Sequence, residues 1–306
     1  MTPAVLVRGL RKAFDDHTVL ESLDLEIRRG AVFALLGPNG AGKTTTVRIL
    51  ATQLLPDAGS VRVAGHDPAS EPDAVRRAIG VTGQFAAVDD LFTGRENLQL
   101  MADLHHLGRS GRARVTELLR RFDLVDAAGR PASTYSGGMR RRLDLAMGLM
   151  GRPEILFLDE PTTGLDPRTR RALWDLVREL AADGVTVLLT TQYLEEADQL
   201  AERVAVLDGG RIVAEGTPEE LKRRVGGGHV RLRFADPDDV ARAGSVLPAA
   251  VTDPATLSVR VPGEGFGAVR EVVDVLETAG LVAVDLSVHT PDLDDVFLTL
   301  TGKVTS

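Results

Sequence analysis

Short runs of Val, Ile, Leu and Phe alternate along the chain with longer stretches whose apolar residues recur at helical spacing, as far as about residue 221. That alternation belongs to the strand–helix units of an α/β domain. Val32–Leu36 predicts a buried strand entering a Gly-rich turn. Lys43–Leu54 predicts the helix that follows, with Pro56 beyond its end. Ile155–Leu158 and Val185–Thr190 lack polar alternation, so both strands are expected to be covered on two faces. Thr93-Gly-Arg-Glu96 and Thr217-Pro-Glu-Glu220 have the spacing of capping boxes, and Asp166-Pro167 opens a further helix.

After Gly226-Gly-Gly228, a plausible hinge, the period changes. Val230, Leu232 and Phe234 alternate with arginines. Leu257, Val259 and Val261 repeat the pattern, and so do Val282, Val284, Leu286 and Val288. These are three half-buried strands. Between the second and third, Val269, Val272, Val273 and Leu276 share one helix face that ends at Gly280. Asp236–Leu247 is a weaker helix and Leu293–Leu300 a last one. The division expected is an α/β domain over 1–225, with a helical subdomain at about 85–150, and a small α+β domain over 226–306.

Composition narrows the chemistry. In 306 residues there are no cysteines, which excludes disulfides, thiolate metal sites and thiol catalysis. The six histidines form no HxxxH pair, against a zinc hydrolase. A net charge of −8 argues against a dedicated nucleic-acid binder. No apolar run approaches the ~18 residues of a membrane span, and the start lacks the pattern of a secretory signal. A cytosolic protein docked to something else is expected.

Three motifs carry chemistry. Gly37-Pro-Asn-Gly-Ala-Gly-Lys-Thr44 fits G-x-x-x-x-G-K-[ST] between a strand and a helix. Its glycines let successive N–H groups turn toward phosphate oxygens, and the helix adds its positive end. Lys43 would reach the β/γ-phosphates and the Thr44 hydroxyl would ligate Mg²⁺. Ile155-Leu-Phe-Leu-Asp-Glu160 is an apolar strand ending in two carboxylates. Asp159 suits a magnesium ligand, and Glu160 suits a base that orients an attacking water. Ser136-Gly-Gly138 at a helix start makes a second anion site by the same physics as the first.

This ordered set resembles the ATP-binding subunits of ABC transporters, over roughly residues 4–220. Gly37, Pro38, Asn39, Gly40, Ala41, Gly42, Lys43, Thr44 and Thr45 look like the Walker A loop and the start of its helix. Gln84 resembles the glutamine-loop ligand of Mg²⁺, and Tyr135-Ser136-Gly137-Gly138-Met139 the signature loop. Asp159 and Glu160 resemble the Walker B aspartate and catalytic glutamate, and Gly164-Leu-Asp166 the D-loop. Phe14 falls where the family stacks an aromatic ring on adenine. Tyr135 and Met139 stand where Leu and Gln are usual. Gln192 occupies the switch-histidine position. An amide donates a hydrogen bond to the γ-phosphate but carries no charge, which leaves Glu160 as the base. Thr190–Asp198, the SGGMRRRLDLA run and Leu293-Asp-Asp-Val-Phe297 narrow the resemblance to the daunorubicin-resistance type of drug-export ATPase.

The resemblance implies a P-loop NTPase fold, ATP and Mg²⁺ as ligands, and no nucleic acid. It implies an ATP-sandwich homodimer on the cytoplasmic face of the membrane. The work is done on a separate ABC-2-type permease that exports hydrophobic drugs or secondary metabolites; the alternatives are a lipid or polysaccharide exporter and a soluble, non-transport ABC ATPase. The link to the permease is expected through Gln84 and the segment Phe85–Leu107. There Phe85, Leu91, Phe92, Leu98, Leu100 and Met101 are expected mostly in the core of the helical subdomain, with a minority lining a groove. The C-terminal domain is expected to serve dimerisation or regulation.

Overall fold

The computed structural model describes residues 2–83, 87–224, 228–263 and 265–301. The chain divides into two compact units, Met1–Pro218 and Glu219–Ser306, a boundary earlier than the glycine run. In the first unit the order is β1 (Val5–Phe14), β2 (His17–Ile27), β3 (Val32–Leu36), α1 (Lys43–Leu50), β4 (Ala58–Val63), α2 (Pro72–Ala78) and β5 (Ile79–Thr82). A helical stretch follows with α3 (Gly94–Leu104), α4 (Arg109–Arg121) and α5 (Gly137–Gly148). The unit returns to the sheet through β6 (Ile155–Asp159), α6 (Pro167–Ala182), β7 (Thr186–Thr191), α7 (Leu194–Leu200), β8 (Arg203–Asp208) and β9 (Arg211–Gly216).

The central sheet has the order β5-β6-β7-β3-β8-β9, parallel except for β9 at its edge. Every residue of β3, β6 and β7 is buried, as their unbroken apolar runs require. A second, antiparallel sheet, β2-β1-β4, contributes Leu10, Leu20, Leu23 and Ile27 to one core with Phe33, Leu35, Phe157 and Leu188 of the central sheet and Val47, Ile49 and Leu50 of α1. Each such side chain stabilises the fold by roughly 1.5–3 kcal/mol on burial. This packing fixes α1 beneath the loop that precedes it.

Helix α1 ends at Leu50, four residues earlier than its apolar spacing suggests. Thr52 turns left-handed at φ 63°. The N–H groups of Thr52 and Gln53 then close on the carbonyls of Ile49 and Arg48, a Schellman stop made without glycine. Helices α3, α4 and α5 pack together. The Thr93 capping box forms as expected: the Thr93 hydroxyl accepts the Glu96 N–H at 3.2 Å and the Glu96 carboxylate accepts the Thr93 N–H at 2.8 Å.

The second unit opens with α8 (Pro218–Arg224), which starts at the boundary. It contains β10 (His229–Arg233), α9 (Pro237–Val246), β11 (Val251–Asp253), β12 (Ser258–Pro262), α10 (Gly265–Ala279), β13 (Asp285–His289) and α11 (Leu293–Thr301). The antiparallel order β11-β12-β10-β13 is the ferredoxin-like β-α-β-β-α-β arrangement. Val230, Leu232, Val259 and Val261 form its core with Val240 and Ala243 of α9 and Val272 and Leu276 of α10. Strand β11 is an addition to the three strands expected. At three largely exposed residues it carries no readable alternation. Among the described residues no helix is long and apolar enough to cross a membrane.

Candidate functional site

The turn between β3 and α1 wraps one side of a cavity of about 550 Å³ lined by Asn39, Gly40, Gly42, Lys43, Thr44 and Thr45, with Glu160, Thr163 and Gln192 opposite. Gly42 has φ 108°, and a Cβ there would lie 2.6 Å from the Leu20 side chain, so only glycine lets the loop lie this close to β2. The α1 amides therefore open toward the cavity, where an anion is favoured. Lys43 is buried. Its ammonium donates to the carbonyls of Gly37 at 2.7 Å and Pro38 at 3.0 Å and lies 3.4 Å from the Glu160 carboxylate. Burial lowers the Lys43 pKa, opposed chiefly by the Glu160 charge.

Strand alignment sets the acidic half. Asp159 ends β6 and Glu160 follows it, with β7 beside them. The Thr190 hydroxyl donates to Asp159 Oδ1 at 2.5 Å, and the Thr44 hydroxyl donates to the same oxygen at 3.2 Å. The Glu160 N–H is held at 3.1 Å by both the carbonyl and the hydroxyl of Thr190. Glu160 sits at φ 49°, a left-handed conformation that costs a non-glycine residue about 1–3 kcal/mol and recurs at functional sites. That turn leaves the carboxylate facing Lys43, with the Thr163 hydroxyl 3.4 Å away.

Thr44 and Asp159 bring a hydroxyl and a carboxylate together, hard oxygen donors that suit Mg²⁺, which usually takes one or two protein ligands beside phosphate oxygens. They would hold the ion, and the ion would neutralise charge on the phosphates. Gln84, the further ligand expected, and Phe85 lie outside the described residues.

The signature residues line a separate cavity of about 520 Å³, with Ser136, Gly138 and Met139 on one wall and Leu165, Asp166 and Arg168 on the other. The Ser136 hydroxyl caps α5 by accepting the Met139 N–H at 3.3 Å. Asp166 caps α6, accepting the Arg168 and Thr169 N–H groups at 3.0 Å and the Thr169 hydroxyl at 2.6 Å. Those bonds, the Thr169 hydroxyl first, hold its carboxyl below the usual range.

Tyr135 and Phe14, both expected in the site, line neither cavity. Tyr135 is buried in the helical stretch, where its hydroxyl donates to the Ala127 carbonyl at 2.7 Å and abuts Gly94. Its aromatic bulk fills core, and the signature surface starts at Ser136. Phe14 ends β1 half-exposed beneath the Lys12 ammonium, 5.4 Å from the ring centroid, and does not line the phosphate cavity; His17 and Val19 do. Ala41 is buried within the loop. The three arginines of the SGGMRRRLDLA run are each ion-paired: Arg140 with Asp90, Arg141 with Asp144 and Arg142 with Asp123. Thr190 and Thr163 are hydrogen-bonding neighbours of Asp159 and Glu160 that the motifs do not announce. The only sequence signal for Thr190 is a hydroxyl pair ending an apolar strand.

A phosphate cradle, a buried lysine, a hydroxyl–carboxylate pair and a strained glutamate define a P-loop nucleoside triphosphatase. Residues 20–163 match the family of ABC transporters. The chain is 52% identical to the daunorubicin resistance ATP-binding protein DrrA3 of Streptomyces coeruleorubidus, across 98% of this chain and 96% of that one. It is 50% identical to the daunorubicin/doxorubicin resistance ATP-binding protein DrrA of Streptomyces peucetius, across 98% and 93%. Among solved structures, a dimeric ATP-binding cassette in a post-hydrolysis state with ADP and Pi superposes with a TM-score of 0.62 at 26% identity, covering 70% of this chain and 98% of that one. The chain belongs to the ABC transporter ATP-binding proteins, in their daunorubicin-resistance branch, and hydrolyses ATP in the service of transport.

Proposed function

We propose that two copies of this chain clasp two ATP molecules head to tail and drive export of a hydrophobic drug or secondary metabolite through a separate ABC-2-type permease at the cytoplasmic face of the membrane. The observation that carries the dimer is the separation of the two cavities. The phosphate loop lines one, the signature and Asp166 line the other, and they share no lining residue. One chain thus holds each half of a site once, and an isologous pair completes two. The dimeric relative with ADP and Pi supports a dimer. In the closed site Lys43 and the loop amides would bind the phosphates, Glu160 would accept the proton of the attacking water, and the Gln192 amide would donate to the γ-phosphate.

A third cavity, of about 480 Å³, supports permease docking. Ile79, Val81, Ala87, Met101 and Met147 give it an apolar lining, with His105 and Asp144 at its wall. Of the segment expected to reach the membrane partner, Leu98 is core, Leu91 is 89% exposed and Met101 lines this groove. The drug-resistance names of the relatives support the cargo class. Cells carrying this chain together with an ABC-2-type permease should accumulate several-fold less of a fluorescent anthracycline than cells carrying either alone. Equal accumulation, with ATPase activity intact, would point instead to a lipid or polysaccharide cargo.

The C-terminal unit would add a second contact between copies. Strand β11 blunts one edge of its sheet by being short, whereas β13 ends the other with Leu286 and Val288 exposed, preceded by Val282 and Val284 at 80% and 60% exposure. The open face carries Arg231 directly opposite Arg260, so two such faces repel each other. Antiparallel pairing of β13 with its copy about Ser287 sets Leu286 against Val288 and Asp285 against His289. The chain has no native cysteine, so Ser287→Cys gives a clean probe. Cα atoms about 4.5–5.5 Å apart across such a pair lie within disulfide reach. Mild oxidation without nucleotide should yield a covalent dimer, and Val251→Cys at the opposite edge should not. Equal yields would remove β13 from the interface.

A further inference from the structure

Helix α5 carries a buried ion pair that the catalytic residues do not touch directly. Arg141 is 8% exposed and Asp144 3%, with Nη1 3.2 Å from the Asp144 carboxylate. Arg141 Nε donates to the Pro161 carbonyl at 2.8 Å, and Nη1 donates to the Gly83 carbonyl at 2.7 Å. Asp144 Oδ1 accepts the Ala87 N–H at 3.0 Å. Pro161 follows Glu160 in the chain, and Gly83 and Ala87 flank the segment that contains Gln84. One pair on the signature helix therefore grips both the turn holding the catalytic glutamate and the two ends of the glutamine segment. Asp144 also reaches the wall of the 480 Å³ groove.

A pair this deep is a poor device for stability alone. Taking two charges out of water is costly, and an apolar pair of the same size often serves as well. Arg141 Nη2 has no hydrogen-bond partner among the described residues. Burial pushes the Asp144 carboxyl up to about 6 despite the Ala87 N–H and the Arg141 charge. What the pair supplies, and an apolar pair cannot, is directional bonding from one helix to two backbone carbonyls in different loops.

We infer that Arg141 and Asp144 are positioning residues that make Glu160 responsive to what Ser136, Gly137 and Gly138 of the same chain engage. The inference rests on the composite-site reading, in which those residues close on the nucleotide of a second copy. Closure moves α5, and the Arg141 fork carries that movement to the Pro161 and Gly83 carbonyls, setting Glu160 for the chemical step only when the signature is engaged.

The test uses Arg141→Lys, which keeps the charge beside Asp144 but cannot reach both carbonyls with one fork, and Asp144→Asn, which keeps the size and the acceptor for Ala87. Each is made in the full chain and again in a Glu160→Gln background. The expected result is a fall in kcat of about tenfold to a hundredfold, since small misplacements of a reacting group cost that much. ATP affinity of the single chain should stay within about twofold, and ATP-dependent dimerisation in the Glu160→Gln background should persist. An unchanged kcat overturns the inference. So does a joint loss of affinity and dimerisation, which marks the pair as merely structural. Should Glu160→Gln alone fail to dimerise with ATP, the composite-site reading fails first, and the inference with it, in a way no Arg141 variant would produce.

Discussion

With Glu160 replaced by Gln, the protein should still bind ATP but turn it over at least about a hundredfold more slowly, a barrier ~2.7 kcal/mol higher. The substitution keeps the side chain's size and its acceptor for the Thr163 hydroxyl, and the backbone keeps both bonds to Thr190. What goes is the negative charge. Two consequences follow from the geometry. Among the described residues no carboxylate remains in the cavity wall to take a proton from water; Gln192 is an amide and Asp159 is engaged by two hydroxyls. Lys43 keeps its bonds to the Gly37 and Pro38 carbonyls, so the loop retains its shape, and the ammonium no longer has a carboxylate competing with the phosphates. Affinity for ATP should rise or hold while phosphate release collapses. Sedimentation with ATP should then show a long-lived dimer, and phosphate release should be near background. Hydrolysis at the parental rate would mean that Glu160 is not the base.

What could be read from the residues was local chemistry; what could not was contact across the fold. The strand Val32–Leu36, the phosphate loop and the capping box at Thr93 are each specified within a few neighbouring residues, and each stands where expected. The antiparallel sheet was hidden because β1 and β2 change register several times along their pairing, which breaks the alternation a half-buried strand should show. The end of α1 was hidden because its left-handed residue is Thr52 and not glycine. Within the site, Lys43, Thr44, Asp159, Glu160 and Gln192 converge as their motifs require. Thr190 is bonded to Asp159 across 31 positions of chain, and the hydroxyl pair that ends its strand does not say which residue it meets. Tyr135 misled for the opposite reason: its place beside Ser136 suggested a ligand contact, while its ring was needed to fill the space under Gly94.

The composite site makes a sharper demand than any single variant can. Lys43→Ala should abolish hydrolysis by removing the ammonium from the phosphate loop. Gly137→Glu should abolish it from the other side. A Cβ at Gly137 meets nothing within 4 Å in its own chain, so a side chain can start there without a clash. It does put a carboxylate where a second copy's triphosphate would sit, and like charges at such range repel strongly away from bulk water. Alone, each variant forms dimers in which both sites are broken. Mixed one to one, half the dimers pair the two kinds of chain. In those dimers one site combines both lesions, and the other joins an intact Lys43 to an intact signature. About a quarter of the wild-type site number should therefore reappear on mixing two inactive proteins. Activity that stays at background through the titration would mean that Lys43 and Gly137 serve the same nucleotide within one chain, or that the two sites fire only together. Adding wild-type chain to each variant separates these: a dimer of one wild-type chain with either variant retains one intact site, so a silent mixed dimer indicates obligatory coupling. Recovery near the statistical value would establish that each chain lends its signature to the other's ATP.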